Sequence, residues 1–106
     1  PREQPVAIGW LNHHREAVRL VGADSLVRSG ATWALKDLAG ALDDDFMVNR
    51  QFARIGIEKL TGRSLGATGY RFYMTRDERK APLVRVRDEL LKVQSSATRP
   101  GTVGRR

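Results

Sequence analysis

Apolar residues recur at helical spacing in four stretches of this chain. Between Ala34 and Leu42, the residues Leu35, Leu38 and Leu42 fall at i, i+3 and i+7, one stripe of a helix, with Lys36 and Asp37 off it. The run Asp43-Asp44-Asp45 ends that helix and can cap the next, because carboxylates accept from the free N–H groups of a helix start. The following stretch carries Val48, Phe52, Ile55 and Leu60 as its apolar stripe, with Ala53, Gly56 and Ile57 beside them. Ala53 and Gly56 are small enough to admit a second helix, and Gly62 suits a left-handed stop. An earlier helix follows the same plan: Val18, Val21 and Ser25 line one side, Gly22 is the close-approach position, and Leu26 and Gly30 end it.

The C-terminal part reads differently. Gly62, Gly66 and Gly69 break the helical pattern, and Tyr70-Arg71-Phe72-Tyr73-Met74 alternates briefly. One strand without partners is unstable, so residues 63–80 are expected to form an extended linker whose aromatics pack on the helices. Thr75-Arg76-Asp77-Glu78 has the form of a helix start, a capping threonine followed by acids. The last helix is expected over 82–94, with Pro82 at its first position and Leu83, Val86, Leu90 and Val93 on its apolar face. Residues 95–106 form a basic tail rich in Gly, Ser and Pro, expected to be flexible.

Residues 10–30 and 41–62 repeat one another at an offset of 31 residues. Trp10-Leu11-Asn12-His13-His14 lies over Ala41-Leu42-Asp43-Asp44-Asp45, Arg19 over Arg50, Val21 over Phe52, Gly22 over Ala53, Ser25 over Gly56 and Leu26 over Ile57. Gly30 and Gly62 close the two units, one residue out of step. The run EAVRLVGADSLVRSGATWALKDLAGALDDDFMVNRQFARIGIEKLTG resembles HEAT repeats, in which two helices meet through an Asp-containing turn and the second often opens with Val-Arg. Val18-Arg19 matches that opening; Asn49-Arg50 matches its arginine alone. The ending Leu60-Thr61-Gly62-Arg63-Ser64-Leu65-Gly66 is similar to the close of some bacterial HEAT-like units. The resemblance covers roughly residues 5–66. It implies an all-α fold: a short HEAT-like α-solenoid of two helix pairs, units at about 5–30 and 32–62, joined to a C-terminal capping helix within a domain spanning 1–94. It also implies protein-binding surfaces and carries over no catalytic residue. Solenoids usually need about three repeats or dedicated caps, so the last helix must cap the stack or a partner must cover its open end.

Composition narrows the picture. With 106 residues, 41% of them hydrophobic, the chain makes one domain with a thin core. Cysteine is absent, which removes disulfides, zinc ribbons and thiol chemistry. No apolar run reaches the length of a membrane span and no signal-peptide pattern opens the chain, so a cytoplasmic place is expected, an extracytoplasmic one staying open. Whether the chain is a piece of a longer protein is also open. The charge of +7 is unevenly placed: residues 1–53 hold six Lys/Arg against seven Asp/Glu, and residues 54–106 hold thirteen against five. That split points the second half toward an acidic partner, against the plain alternative of a solvated basic surface.

Candidate chemistry is sparse. His13 and His14 diverge by about 100° if helical, lack a carboxylate at ligand spacing, and read as exposed loop residues. His14 is followed by Arg15, so the His-Glu pairs by which some HEAT-like hydroxylases hold iron are missing. The three aspartates lack the glycine turn and the ligand spread of a calcium loop. Gly62-Arg63-Ser64-Leu65-Gly66 lacks the lysine of a phosphate loop and follows no strand. No cofactor, metal or catalytic constellation is expected, a HEAT-like DNA glycosylase included. What remains is binding. Trp10 and Trp33 read as partly buried packing residues that become anchors if exposed. Arg71, Arg76, Arg79, Lys80, Arg85, Arg87 and Lys92 interleave with Tyr70, Phe72 and Tyr73, a mixture that suits single-stranded nucleic acid, and Arg105 and Arg106 extend it into the tail. The leading expectation is a non-enzymatic scaffold or accessory subunit that docks a protein partner in a larger assembly; the alternative is a nucleic-acid-binding module using the basic half.

Overall fold

A computed structural model describes residues 9–96. Arg105 and Arg106, most of the expected tail and the start of the first unit lie outside the described residues. Within them the chain is all-helical, as the periodicity predicts. Helix α1 spans Glu16–Arg28, α2 spans Leu35–Gly40, α3 spans Met47–Thr61, and α4 spans Arg76–Ser96. Tight 3-10 turns at Thr32–Ala34 and Ala41–Asp43 extend α2 at both ends, so the stretch read as one helix over 34–42 is helical with tightened termini.

Local chemistry sets the boundaries. Gly30 at φ +69° lets Ala31 N–H turn back to the Leu26 carbonyl at 3.0 Å, closing α1. Gly62 at φ +68° closes α3, its N–H donating to the Glu58 carbonyl at 2.8 Å. A reciprocal cap opens α4: Thr75 N–H donates to Glu78 Oε1 at 2.9 Å, and Glu78 N–H donates to Thr75 Oγ1 at 3.3 Å. Helix α4 therefore starts six residues before Pro82, and the expected start at Pro82 is corrected. Proline inside the helix removes one backbone donor, but the cap nucleates the turn ahead of it, and Pro82 is itself buried.

The expected linker shortens to residues 62–75, without a strand. It holds a 3-10 turn at Gly66–Thr68 and is tied to the helices. Leu65 N–H donates to Glu58 Oε2 at 2.8 Å, Arg85 Nε to the Thr68 carbonyl at 2.8 Å, and the Tyr70 hydroxyl to the Leu42 carbonyl at 2.6 Å. Of its aromatics, Tyr70 is fully buried, Phe72 half-buried and Tyr73 exposed.

One core runs through the domain. Leu35, Leu38 and Leu42 meet Leu83, Val86 and Leu90 within it, as the two leucine and valine stripes predict. Helix α2 and its flanking turns contact both α3 and α4, while α1 lies against α3. Asn49 Nδ2 donates to the Glu16 carbonyl at 3.0 Å near one end of the α1–α3 contact, and Gly56 faces Val27 near the other, so α1 and α3 run in the same direction. At Gly56 a Cβ would stand 2.6 Å from Val27 Cγ2, which makes it the close-approach position that its size implied.

Two stripes need correction. On α3 the buried positions are Asn49, Arg50, Ala53, Gly56 and Ile57, while Val48 is 65% exposed and Ile55 43%. On α1 the buried positions are Gly22, Ala23 and Leu26, and Val21 is 54% exposed. The helices approach through their small residues, and Val21, Val48 and Ile55 are left facing outward.

Candidate interaction surfaces

The three consecutive aspartates each hold an arginine from a distant part of the chain. Asp44 receives Arg19 from α1 through Nε at 2.7 Å and Nη2 at 3.1 Å. Asp43 receives Arg79 Nε at 2.9 Å, and Asp45 receives Arg76 Nη2 at 2.7 Å, both from α4. Asp44 also accepts Phe46 N–H at 2.9 Å, which fixes the turn into α3. Burial pushes its carboxyl up, but the hydrogen bonds from Arg19, Phe46 and Asn49 and the charge of Arg19 outweigh burial and hold it below the ordinary range. The run was expected to cap α3; its main work is to tie α1 and α4 to the turn between α2 and α3.

The arginines repeat one another at the 31-residue offset found in the sequence. Arg19 Nη1 donates to the His13 carbonyl at 2.8 Å, and Arg50 Nη1 donates to the Asp44 carbonyl at 2.6 Å. The turns match as well: His13 Nδ1 accepts Arg15 N–H at 3.0 Å, as Asp44 Oδ1 accepts Phe46 N–H. Where Arg19 continues to a carboxylate, Arg50 continues to the Phe72 carbonyl at 2.6 Å, so the aromatic connection occupies the place that Asp44 holds for Arg19.

The residues proposed for partner binding are dispersed. Trp33 is partly buried against the core; Trp10 is 37% exposed at the edge of the described chain. Arg79 is 3% exposed and turned into the fold, its Nη1 donating to the Met74 carbonyl at 2.7 Å. This corrects its expected place on a surface: the desolvated guanidinium is matched by Asp43, a partner too distant in sequence to foresee. Arg76 and Lys80 stand in exposed pairs with Asp45 and Asp77. Arg85 is spent partly on the Thr68 carbonyl, and Arg87 lines a cleft with Lys36, Ala39, Gly40, Leu90 and Leu91. Arg71 and Tyr73 share a recess with Arg54 and Phe72.

The surface not foreseen is a groove of about 500 Å³ between α1 and α3. Its walls are Asp24, Val27 and Arg28 on one side and Phe52, Ile55, Gly56, Lys59 and Leu60 on the other. Val21 lies one turn before Asp24 on α1, and Val48 one turn before Phe52 on α3, which carries the exposed apolar surface along the same seam. The signal was present as the stripe Val48, Phe52 and Ile55, read as a packing face, of which only Phe52 reaches the core.

Among the described residues no group of three His, Cys, Asp or Glu side chains is placed to hold a metal ion, and no helix is long and apolar enough to cross a membrane. The two histidine rings stack on each other at 4.4 Å between centroids. Comparison with protein families, with curated proteins and with solved structures finds no match for this chain.

Proposed function

We propose that this chain is a non-enzymatic docking module: a pair of HEAT-like units that binds a protein segment along the α1–α3 groove, as a scaffold or accessory subunit of a larger assembly. The observation that carries the reading is the outward apolar seam of Val21, Val48 and Ile55 beside the partly buried Val27, Phe52 and Leu60. Contiguous exposed apolar surface costs solubility, and where it lines a groove between helices it fits a partner's apolar side chains. The HEAT-like reading is supported by the two arginine–carbonyl contacts 31 residues apart and by the co-directional packing of α1 on α3 through Gly56.

The test places a photo-crosslinking residue at Ile55, and at Asp37 on α2 as control, in the full chain in its native cell. The docking reading expects a discrete protein adduct from position 55, absent from position 37 and lost when Val48→Glu is added with circular dichroism unchanged. Equal labelling at both positions, or an adduct indifferent to Val48→Glu, overturns it.

A further inference from the structure

A second recess shares no lining residue with the groove. It lies between α3 and the 62–75 connection, has a volume of about 220 Å³, and is lined by Arg54, Glu58, Ser64, Arg71, Phe72 and Tyr73 among others. The two aromatic rings meet edge to face, 5.3 Å between centroids at 79°. Arg54 lies over the Phe72 ring, its guanidinium carbon 5.7 Å from the centroid, and ion-pairs with Glu58 at 2.9 Å. Phe72 is thereby braced, and it holds beside it a Tyr73 ring that is 63% exposed. The acid in the recess is engaged on both oxygens, by Arg54 and by Leu65 N–H. Arg71 is exposed at the rim and anchored through one N–H on the Tyr70 carbonyl at 2.8 Å, which leaves it further donors.

We infer that this recess binds single-stranded nucleic acid, one base stacking on Tyr73 while a neighbouring phosphate meets Arg71. A volume below the roughly 300–1,000 Å³ of small-molecule pockets suits one flat ring of a longer ligand whose remainder runs outside. An exposed aromatic ring beside a guanidinium is the pairing that single strands use, since each base has an open face and each linkage a charge. A duplex covers its base faces by stacking and cannot use Tyr73 in this way. The excess of cations over residues 54–106 attracts the strand before contact is made.

The site is independent of the groove, and the experiment separates the two. A fluorescent oligo-dT strand is titrated with the full chain across a salt series and followed by anisotropy. Tyr73→Phe keeps the ring and is expected to bind as the parent does; Tyr73→Ala weakens binding roughly ten-fold or more. Arg71→Gln weakens binding and lowers the salt dependence by about one phosphate contact. Val48→Ser with Ile55→Ser, which disrupts the groove without altering charge, leaves the titration unchanged. Absence of binding at low salt, equal affinity for Tyr73→Ala and the parent chain, or preference for a duplex of the same length overturns the proposal.

Discussion

Arg19 and Asp44 face each other fork to fork across the α1–α3 junction, with Nε on Oδ2 at 2.7 Å and Nη2 on Oδ1 at 3.1 Å. The Asp44 side chain is 5% exposed and that of Arg19 is 18%. A pair so shielded is costly to break from one side, because the remaining charge stays in a poorly hydrated place. Asp44→Ala is expected to lower stability by about 2–4 kcal/mol. The double variant Arg19→Ala with Asp44→Ala should lose less than the sum of the singles. Urea denaturation of the four chains measures the coupling, and strict additivity would show that the pair contributes nothing of its own.

The same carboxylate gives the fold an acid limit. Its folded value lies below its ordinary 3.8. The stability it adds is complete above that ordinary value and is lost as pH falls through the depressed folded value. Asp44→Asn is expected to flatten the acid side of a plot of denaturation midpoint against pH. An acid limb as steep as the parent's would place the titrating group elsewhere.

Alkali acts through Tyr70. Burial pushes its hydroxyl up to about 12 from an ordinary 10.0. The unfolded chain then loses this proton first, so stability is complete below pH 10 and declines as pH rises toward the folded value. Tyr70→Phe should remove that decline and cost about 1–2 kcal/mol at neutral pH, since the Leu42 carbonyl loses its donor. Stability followed from neutral pH into alkali checks both statements.

Gly56 reads as an ordinary helix weakness until its neighbour is considered. Alanine there gains about 1 kcal/mol of helix propensity, but its Cβ would stand 2.6 Å from Val27 Cγ2. Valine in a helix has little rotamer freedom with which to yield. Gly56→Ala is therefore expected to destabilise by about 1–3 kcal/mol, and Val27→Ala should relieve much of that loss. A rise in melting temperature for Gly56→Ala alone would show that α1 and α3 pack less tightly than this.

The apolar seam carries a contrary prediction. Val48→Lys and Ile55→Lys should each change stability by no more than about 0.5 kcal/mol, as at exposed positions. Leu38→Ala should cost about 2–5 kcal/mol. Thermal melts of the three variants distinguish a working surface from a core.

The legible parts of this fold are those where charge marks the outside of a helix. Lys36 and Asp37 on α2, and Arg85, Arg87 and Asp88 on α4, leave one face for the core, and the leucines and valines opposite are buried there. Helix α3 has no such contrast. Its inner face includes Asn49 and Arg50, polar groups satisfied by the carbonyls of Glu16, Asp44 and Phe72, while its outer face includes valine and isoleucine. Periodicity found that helix and its small close-approach residues, but centred the apolar stripe on Val48 and Ile55, which lie outside the buried face. The arginine pairings were out of reach for another reason. Asp43 lies 36 residues from Arg79, and nothing local to either shows that they meet. Of the second recess, the basic and aromatic composition was visible, but not that Tyr70 turns inward while Tyr73 turns out.

The connection between α3 and α4 contains three glycines after Thr61, yet it is stitched at Leu65 and Phe72 to α3, at Thr68 to α4 and at Tyr70 to the turn after α2. It acts as a bracket and not as a hinge: hydrogen bonds along the whole bend, together with the core packing of Leu83, Val86 and Leu90, set the angle of α4. Load applied to α4 is therefore transmitted to α3 without first being absorbed by slack in the chain. A partner that grips one arm of this bracket feels the stiffness of the other.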